Sequence, residues 1–374
     1  MPAGADARAP DAPARYAVDD FAYDCPPELI AQYPAPDRAD SRLLVLERAS
    51  GTLAHRAFRD FPTLLHPGDV LVLNTSRVIP ARLHGVRDNG RPAEVLLVHA
   101  EPDGSWLAMV HPGGKLKVGR RVVFGEAVGA AEAAAAAGVA EAEIVAVVGG
   151  GLRRVRFHGM EAREAMERFG TVPLPPYIHR APEADDRERY QTVYARADGS
   201  VAAPTAGLHF TPEILTAVRD RGVAIAAVVL HVGPGTFKPV EVTDPAQHIM
   251  HAEWYEVSEA TAATINAARA AGGRIWAVGT TAARVLETAA APSPAPPASA
   301  PAIYAGSGWT DLFIYPPYVF RAVDALLTNF HLPRSTLLML VAAFAGHTPV
   351  MAAYREAVRA RYRLYSYGDA MAVV

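Results

Sequence analysis

Three loops in this chain each present a histidine among small or polar residues: APTAGLHF at Ala203 to Phe210, LHVGPGTF at Leu230 to Phe237, and TNFHLPRST at Thr328 to Thr336. Gly and Pro fix an unusual backbone path, while the hydroxyls and imidazoles can hydrogen bond or move a proton. Packing a core requires neither, so the three loops read as walls of one site. His209, His231 and His331 are the acid/base candidates. The competing role is structural, with one or two of the rings bonding to backbone and holding their loops.

Other residues could join them. Thr205, Ala206, Gly207, Gly233, Gly235 and Thr236 supply small side chains, backbone donors and hydroxyls for close approach to a ligand. In SYGDAM near the C-terminus, Tyr367 and Asp369 could anchor an ammonium or counter a positive charge. His248, His251 and Glu253 in HIMHAE invite a metal reading, but neither a third spaced ligand nor an HExxH frame accompanies the i, i+3 histidine pair. No metal is expected, and His251 and Glu253 are better placed in a substrate pocket.

These loops need a frame, and 374 residues suggest two domains. Residues 1–20 read as a disordered extension without an apolar signal region. Between Gly68 and Phe157, short β-type runs such as VLVLN, AEVLLVHA and LRRVRF alternate with turn signals, which predicts a small antiparallel β-barrel at 68–157. Residues 21–67 and 158–374 alternate helical and strand patterns and predict a larger α/β, barrel-like domain around it. The Ala-rich run from Ala127 to Ala142 and the Pro-Ala segment from Ala289 to Ala302 read as loops without chemistry.

Composition narrows the class further. Hydrophobic residues make up 51% and charged residues 20%, as in a soluble globular protein. Cys25 is the only cysteine, which excludes an intrachain disulfide and any thiolate zinc cluster. No run approaches the roughly 20 apolar residues that cross a bilayer, and a cytoplasmic location is the default expectation. The net charge of −3 argues against a generic nucleic-acid coat, although residues 68–157 carry 11 basic against 9 acidic side chains.

Taken in order, PPELIAQYPAPDRADSRLLVL, GDVLVLNTSRVIPARL, LPPYIHR, DRERYQTVYAR, SVAAPTAGLHFT, LHVGPGTFKPV, HIMHAEWYEV, AVGTTAARVLET, VDALLTNFHLPRSTLLMLVAAFAG and YSYGDAM span Pro26 to Met371. This pattern resembles the S-adenosylmethionine:tRNA ribosyltransferase-isomerase family of queuosine synthesis. The resemblance implies S-adenosylmethionine as co-substrate with no further cofactor. Its ribosyl carbons would pass to the aminomethyl group of a 7-deazaguanine already in tRNA, giving an epoxycyclopentanediol while adenine and methionine leave. Such chemistry needs a base near the carbon beside the sulfonium and a cavity that keeps out bulk water.

The implied substrate contacts add Arg284 and Asn329 to the set above. For tRNA the candidates are Arg77, Arg82, Lys115, Lys117, Arg120 and Arg121, with Tyr190, Gln191 and Tyr194 to stack on or bond a base. A monomer is expected. The chain departs from the family wording at Asn74-Thr75, where an acidic residue often follows the Asn, at Ala282, where a serine is usual, and at Pro317, which replaces a glycine. Two other readings fit the same motifs: a paralogue acting on a small-molecule acceptor, and a tRNA-binding protein without catalysis.

Overall fold

The computed structural model describes residues 16–125, 139–237, 240–290 and 302–374. Most of the predicted disordered extension, the Ala-rich run and the Pro-Ala segment lie outside the described residues.

Nine strands form the large sheet, in the order Gly306–Thr310, Glu253–Val257, Ala224–Leu230, Val70–Asn74, Ile275–Val278, Ala325–Asn329, Ala370–Val373, Arg42–Leu46, Leu53–Ala57. The four from Ala224–Leu230 to Ala325–Asn329 run parallel. Val70–Asn74, Ile275–Val278 and Ala325–Asn329 are buried at every position, as strands covered on both faces must be. On one face Leu44, Val70, Val72 and Ala277 meet the helices Glu259–Ala270, Gly279–Ala289, Thr336–Ala345 and His347–Arg359. On the other, Leu43, Leu71, Leu73 and Trp276 pack on Phe58, Phe61, Phe210 and the helix Pro212–Asp220.

The pairing pattern corrects two expectations. The large sheet does not close on itself: Gly306–Thr310 and Leu53–Ala57 are its edges among the described residues. It is an open mixed sheet rather than barrel-like. Val70–Asn74, whose sequence groups it with the antiparallel unit, sits in the middle of the large sheet between two parallel neighbours. VLVLN is apolar at four of five positions, and such a run suits a central parallel strand better than a half-exposed one.

A second sheet of seven strands, all antiparallel, runs Gly170–Thr171, Arg82–Arg87, Pro92–Ala100, Trp106–His111, Leu152–His158, Ala140–Gly149, Arg121–Phe124. Val86 and Arg87 pair in turn with Val123 and Val122, so the pairings return to the strand Arg82–Arg87. Gly85 makes that return possible, since a side chain there would strike the Val123 carbonyl and the Phe124 ring. Leu83, Val95, Leu97, Ile144 and Val155 fill its interior. Among the described residues no single helix is long and apolar enough to cross a membrane.

Candidate active site

The four parallel strands end at Leu230, Asn74, Val278 and Asn329, and the chemistry-bearing loops leave from those carboxyl ends. Ligands of open α/β sheets bind in the crevice beyond such ends. Asn74 ties the ends together: its amide nitrogen donates to the Leu230 carbonyl at 3.0 Å and to Thr281 Oγ1 at 3.2 Å, and its oxygen accepts from Leu230 N at 3.1 Å. After Val278 the chain turns at Gly279 straight into the helix Gly279–Ala289, so Thr280 and Thr281 stand at a helix N-terminus facing the crevice. Ser335 caps Thr336–Ala345 by accepting from Leu338 N at 3.2 Å, which fixes the loop that carries His331.

The crevice has two chambers, of about 50 and 290 Å³, that share Val232, Thr236, Thr280, Thr281 and Leu337. Thr205, Ala206, Tyr177, Thr328, Asn329, His331, Tyr365 and Ser366 line the first. Gly235, Glu241, His248, Met250, His251, Glu253 and Arg284 line the second. All three predicted loops therefore contribute to one cleft, but not all three histidines do.

His331 faces it. Its Nε2 is 2.7 Å from Thr328 Oγ1, Tyr354 OH accepts from its backbone N–H at 3.0 Å, and the Tyr23 hydroxyl donates to its carbonyl at 2.6 Å. Burial pushes its pKa down to about 3, so the ring is neutral at ordinary pH. Nδ1 has no hydrogen-bond partner among the described residues.

His209 stands behind the cleft. Asn329 donates both amide hydrogens' worth of bonding to the Tyr365 and Ser366 carbonyls, at 2.9 and 3.3 Å, so its oxygen is the acceptor presented to His209 Nε2 at 3.2 Å. That leaves Nδ1 to accept from Ser41 Oγ at 2.9 Å. Both ring nitrogens are occupied, and burial lowers the pKa to about 4. His209 is a brace between the TAGLH turn and the C-terminal segment.

His231 lies among aromatic rings outside both chambers. It stacks on Trp254 with centroids 5.2 Å apart, and Gly199 packs so tightly against it that a Cβ would fall 2.9 Å from the ring. Its pKa is held low by burial, with His99 adding to the effect and Asp198 opposing it.

The remaining candidates divide in the same way. Glu253 accepts from Gly233 N at 2.7 Å and pairs with Arg284, which also donates to the Leu312 and Thr310 carbonyls at 3.2 Å. This buried ion pair forms a wall of the larger chamber, and the His251 ring lies against Gly235. Gly207 is buried against Tyr194 and Thr192. Tyr367 and Asp369 are not in the cleft. The Tyr367 hydroxyl donates to Asp186 at 2.7 Å, and Asp369 accepts from Arg42 N and Arg363 N, both at 2.8 Å, and from Arg42 Nε at 3.2 Å. The neighbouring Tyr365, with φ 69°, and Ser366, bonded to Tyr177 OH at 2.7 Å, are the residues of that segment that reach the cleft.

Most of the RNA candidates already have partners. Arg82 bonds the Leu174 carbonyl and lies 3.4 Å from Glu94, Arg120 pairs with Asp88 at 2.5 Å, and Arg121 with Glu141 at 3.0 Å. Tyr190 is fully buried, edge-on to Tyr367, and cannot stack on RNA. Tyr194 packs against Phe210. Gln191 spends both ends of its amide on the backbone of Val78, at 3.0 and 2.7 Å. Arg77, Lys115 and Lys117 have no ion pair among the described residues. Of the departures, Ala282 is fully buried in the apolar core, and Thr75 Oγ1 donates to the Val228 carbonyl at 3.2 Å. Sequence reasoning passed over Tyr177, Thr280, Thr281, Thr328 and Tyr365. GTT directly after an apolar strand was the available signal for two of them.

No group of three His, Cys, Asp or Glu side chains among the described residues is placed to hold a metal ion. The cleft can surround an elongated polar ligand with hydroxyls, the imidazoles of His331, His248 and His251, and a carboxylate–guanidinium pair.

Known proteins resemble the chain over nearly its whole length. S-adenosylmethionine:tRNA ribosyltransferase-isomerases of Moorella thermoacetica and Symbiobacterium thermophilum are 51% and 52% identical to the chain, each over 96% of it and 99% of the relative. The crystal structure of the S-adenosylmethionine tRNA ribosyltransferase from Thermotoga maritima is 40% identical, covers 95% of this chain and 100% of its own, and superposes with a TM-score of 0.52. Residues 18–373 match the family described as queuosine biosynthesis protein, and the chain belongs to that family.

Proposed function

We propose that the chain transfers and isomerises the ribosyl moiety of S-adenosylmethionine onto the aminomethyl group of 7-aminomethyl-7-deazaguanine in tRNA, releasing adenine and methionine. The observation that carries this reading is the cleft itself. Apart from Glu241, Val242 and Gln247, its lining falls within the motifs that resemble the family, and full-length relatives carry that activity in their names.

Within the cleft, His331 is the acid/base group, because it alone of the three loop histidines lines a chamber. Thr328 holds its Nε2, and Nδ1 is the ring nitrogen left without a hydrogen bond among the described residues. The neutral imidazole is the form that accepts a proton from the carbon beside the sulfonium. Thr205, Thr280, Thr281 and Ser366 offer hydroxyls to the ribosyl portion, and the Glu253–Arg284 pair, with His251, walls the larger chamber. Enclosure keeps bulk water from reactive intermediates.

The antiparallel unit acts as a small β-barrel inserted into the α/β frame, with its Lys115 and Lys117, and Arg77 on the neighbouring strand Ser76–Val78, left to meet phosphates. Salt-sensitive tRNA affinity is the physical signature of that contact.

The test is incubation of the protein with S-adenosylmethionine and tRNA bearing the aminomethyl-deazaguanine, following adenine release and the mass of the tRNA nucleoside together. Stoichiometric adenine and modified nucleoside support the reading. Adenine without tRNA modification points to a small-molecule acceptor, tRNA binding without turnover to a non-catalytic protein, and neither overturns it.

A further inference from the structure

His231 belongs to a prominent motif yet lies outside the cleft, and its surroundings suggest a use. Four rings lie close to one another where the two sheets meet: His99 stands edge-on to Trp309 at 4.8 Å, Trp309 and Trp254 are register partners on neighbouring strands, and Trp254 stacks on His231. His99 comes from the antiparallel unit and the other three from the large sheet or its loops. Trp309 is 54% exposed on the edge strand Gly306–Thr310, so beyond its contact with His99 it presents a large apolar ring to water.

We propose that the exposed Trp309 ring, with the other three behind it, forms a stacking wall for an unpaired nucleobase of the RNA acceptor, a contact separate from the cleft. The inference rests on the tRNA reading above and adds to it where the RNA is held.

Three observations favour a base as occupant. First, wall and cleft adjoin residue by residue: Val232 and Glu253 line the cleft, while the adjacent His231 and Trp254 belong to the wall. Consecutive Cα atoms are about 3.8 Å apart, so an RNA that inserts one base in the cleft brings its neighbours within reach of the wall. Second, aromatic and imidazole faces stack on any base, and only an unpaired base exposes its face to them. Third, Gly199, whose close approach clamps the His231 ring, sits on the strand Ala197–Ser200. That strand pairs with Ser76–Val78, where exposed Arg77 has no ion pair among the described residues and can meet the accompanying phosphate.

The experiment measures tRNA affinity, S-adenosylmethionine affinity and sedimentation for the full-length protein and for W309A, W309F and H99A. Expected for W309A is a loss of tRNA affinity of about tenfold, within the range for removal of one base–aromatic stack, with S-adenosylmethionine affinity unchanged. W309F keeps most of the affinity, and H99A loses less than W309A. Tryptophan emission is quenched by tRNA in the wild type and much less in W309A. Equal tRNA affinity of W309A and wild type overturns the wall alone. A dimer that W309A converts to monomer, with tRNA affinity intact, overturns it in favour of a self-association edge. Absence of tRNA binding by the wild type overturns the functional reading as well.

Discussion

The cleft and the brace behind it are built from the same loops and the same kinds of residue, yet they leave their polar atoms in opposite states. In the brace, His209 uses both ring nitrogens, Asn329 uses its oxygen and its amide nitrogen, and Asp369 collects three N–H donors. In the cleft, His331 is held through one ring nitrogen only, and Thr280 and Thr281 line the cavity, the Thr281 hydroxyl accepting one bond from Asn74 and keeping its own hydrogen free to donate. A buried polar group with every bond satisfied fixes a loop; one with a bond to spare is available to a ligand. Residue type alone does not separate the two.

Perturbing the brace should show in stability first. Asp369→Ala strands the Arg42 and Arg363 donors. We expect a loss of about 3 kcal/mol in urea unfolding, at the low end for a broken buried pair because Arg42 is partly exposed. The folded fraction should still bind S-adenosylmethionine. Normal stability would move Asp369 from brace to ligand contact.

His331→Ala should lower turnover by about 100-fold, the usual range for a lost acid/base group, with a smaller change in S-adenosylmethionine affinity. Single-turnover adenine release measures it. His209→Gln, in contrast, should lower stability more than the chemical step. A reversal of that order would exchange the roles assigned to the two rings.

Acid provides a third test. His209 and His331 have folded pKa values of about 4 and about 3, below the ordinary 6.5. Between these values and 6.5 the unfolded chain binds more protons, so stability is complete above pH 6.5 and falls as the pH drops toward 4. At pH 5 the loss is about 2 kcal/mol per histidine. Urea unfolding at pH 7 and pH 5 should show it, with the His209 share of the pH dependence gone in His209→Gln, while His331, His231 and His248, all lowered by burial, keep theirs.

The smallest effect is expected at Thr328→Val, which removes the group holding His331 Nε2. A single hydrogen bond contributes about 1 kcal/mol, so turnover should fall about fivefold without loss of fold.

Local periodicity made much of the fold legible. VAIAAVVLHV, RIWAVG and STLLMLVAAFAG correspond to Ala224–Leu230, Ile275–Val278 and Thr336–Ala345. It did not show which strands become neighbours, and so Val70–Asn74 read as part of the antiparallel run that follows it in the chain. The site was legible as three loops, because Gly, Pro and His together have few structural purposes. Which face each side chain takes was not: His231 and Val232 are adjacent in the chain and serve different surfaces. Tyr177 and Tyr365 enter the cleft from segments about 190 residues apart, a proximity that only the folded chain creates.

The position of Ala370–Val373 governs how the protein can be made. This strand separates Ala325–Asn329 from Arg42–Leu46, and among the described residues the outer pair Arg42–Leu46 and Leu53–Ala57 joins the large sheet's strand ladder only through it. Ribosomes add about 5–20 residues per second, so an early hairpin waits on the order of tens of seconds for its partner. Meanwhile the antiparallel unit finds nearly all its strand partners between residues 82 and 171 and can fold as soon as that stretch is made. A nascent chain stalled before residue 370 would carry one finished sheet and one with an open seam, the state that most needs a chaperone.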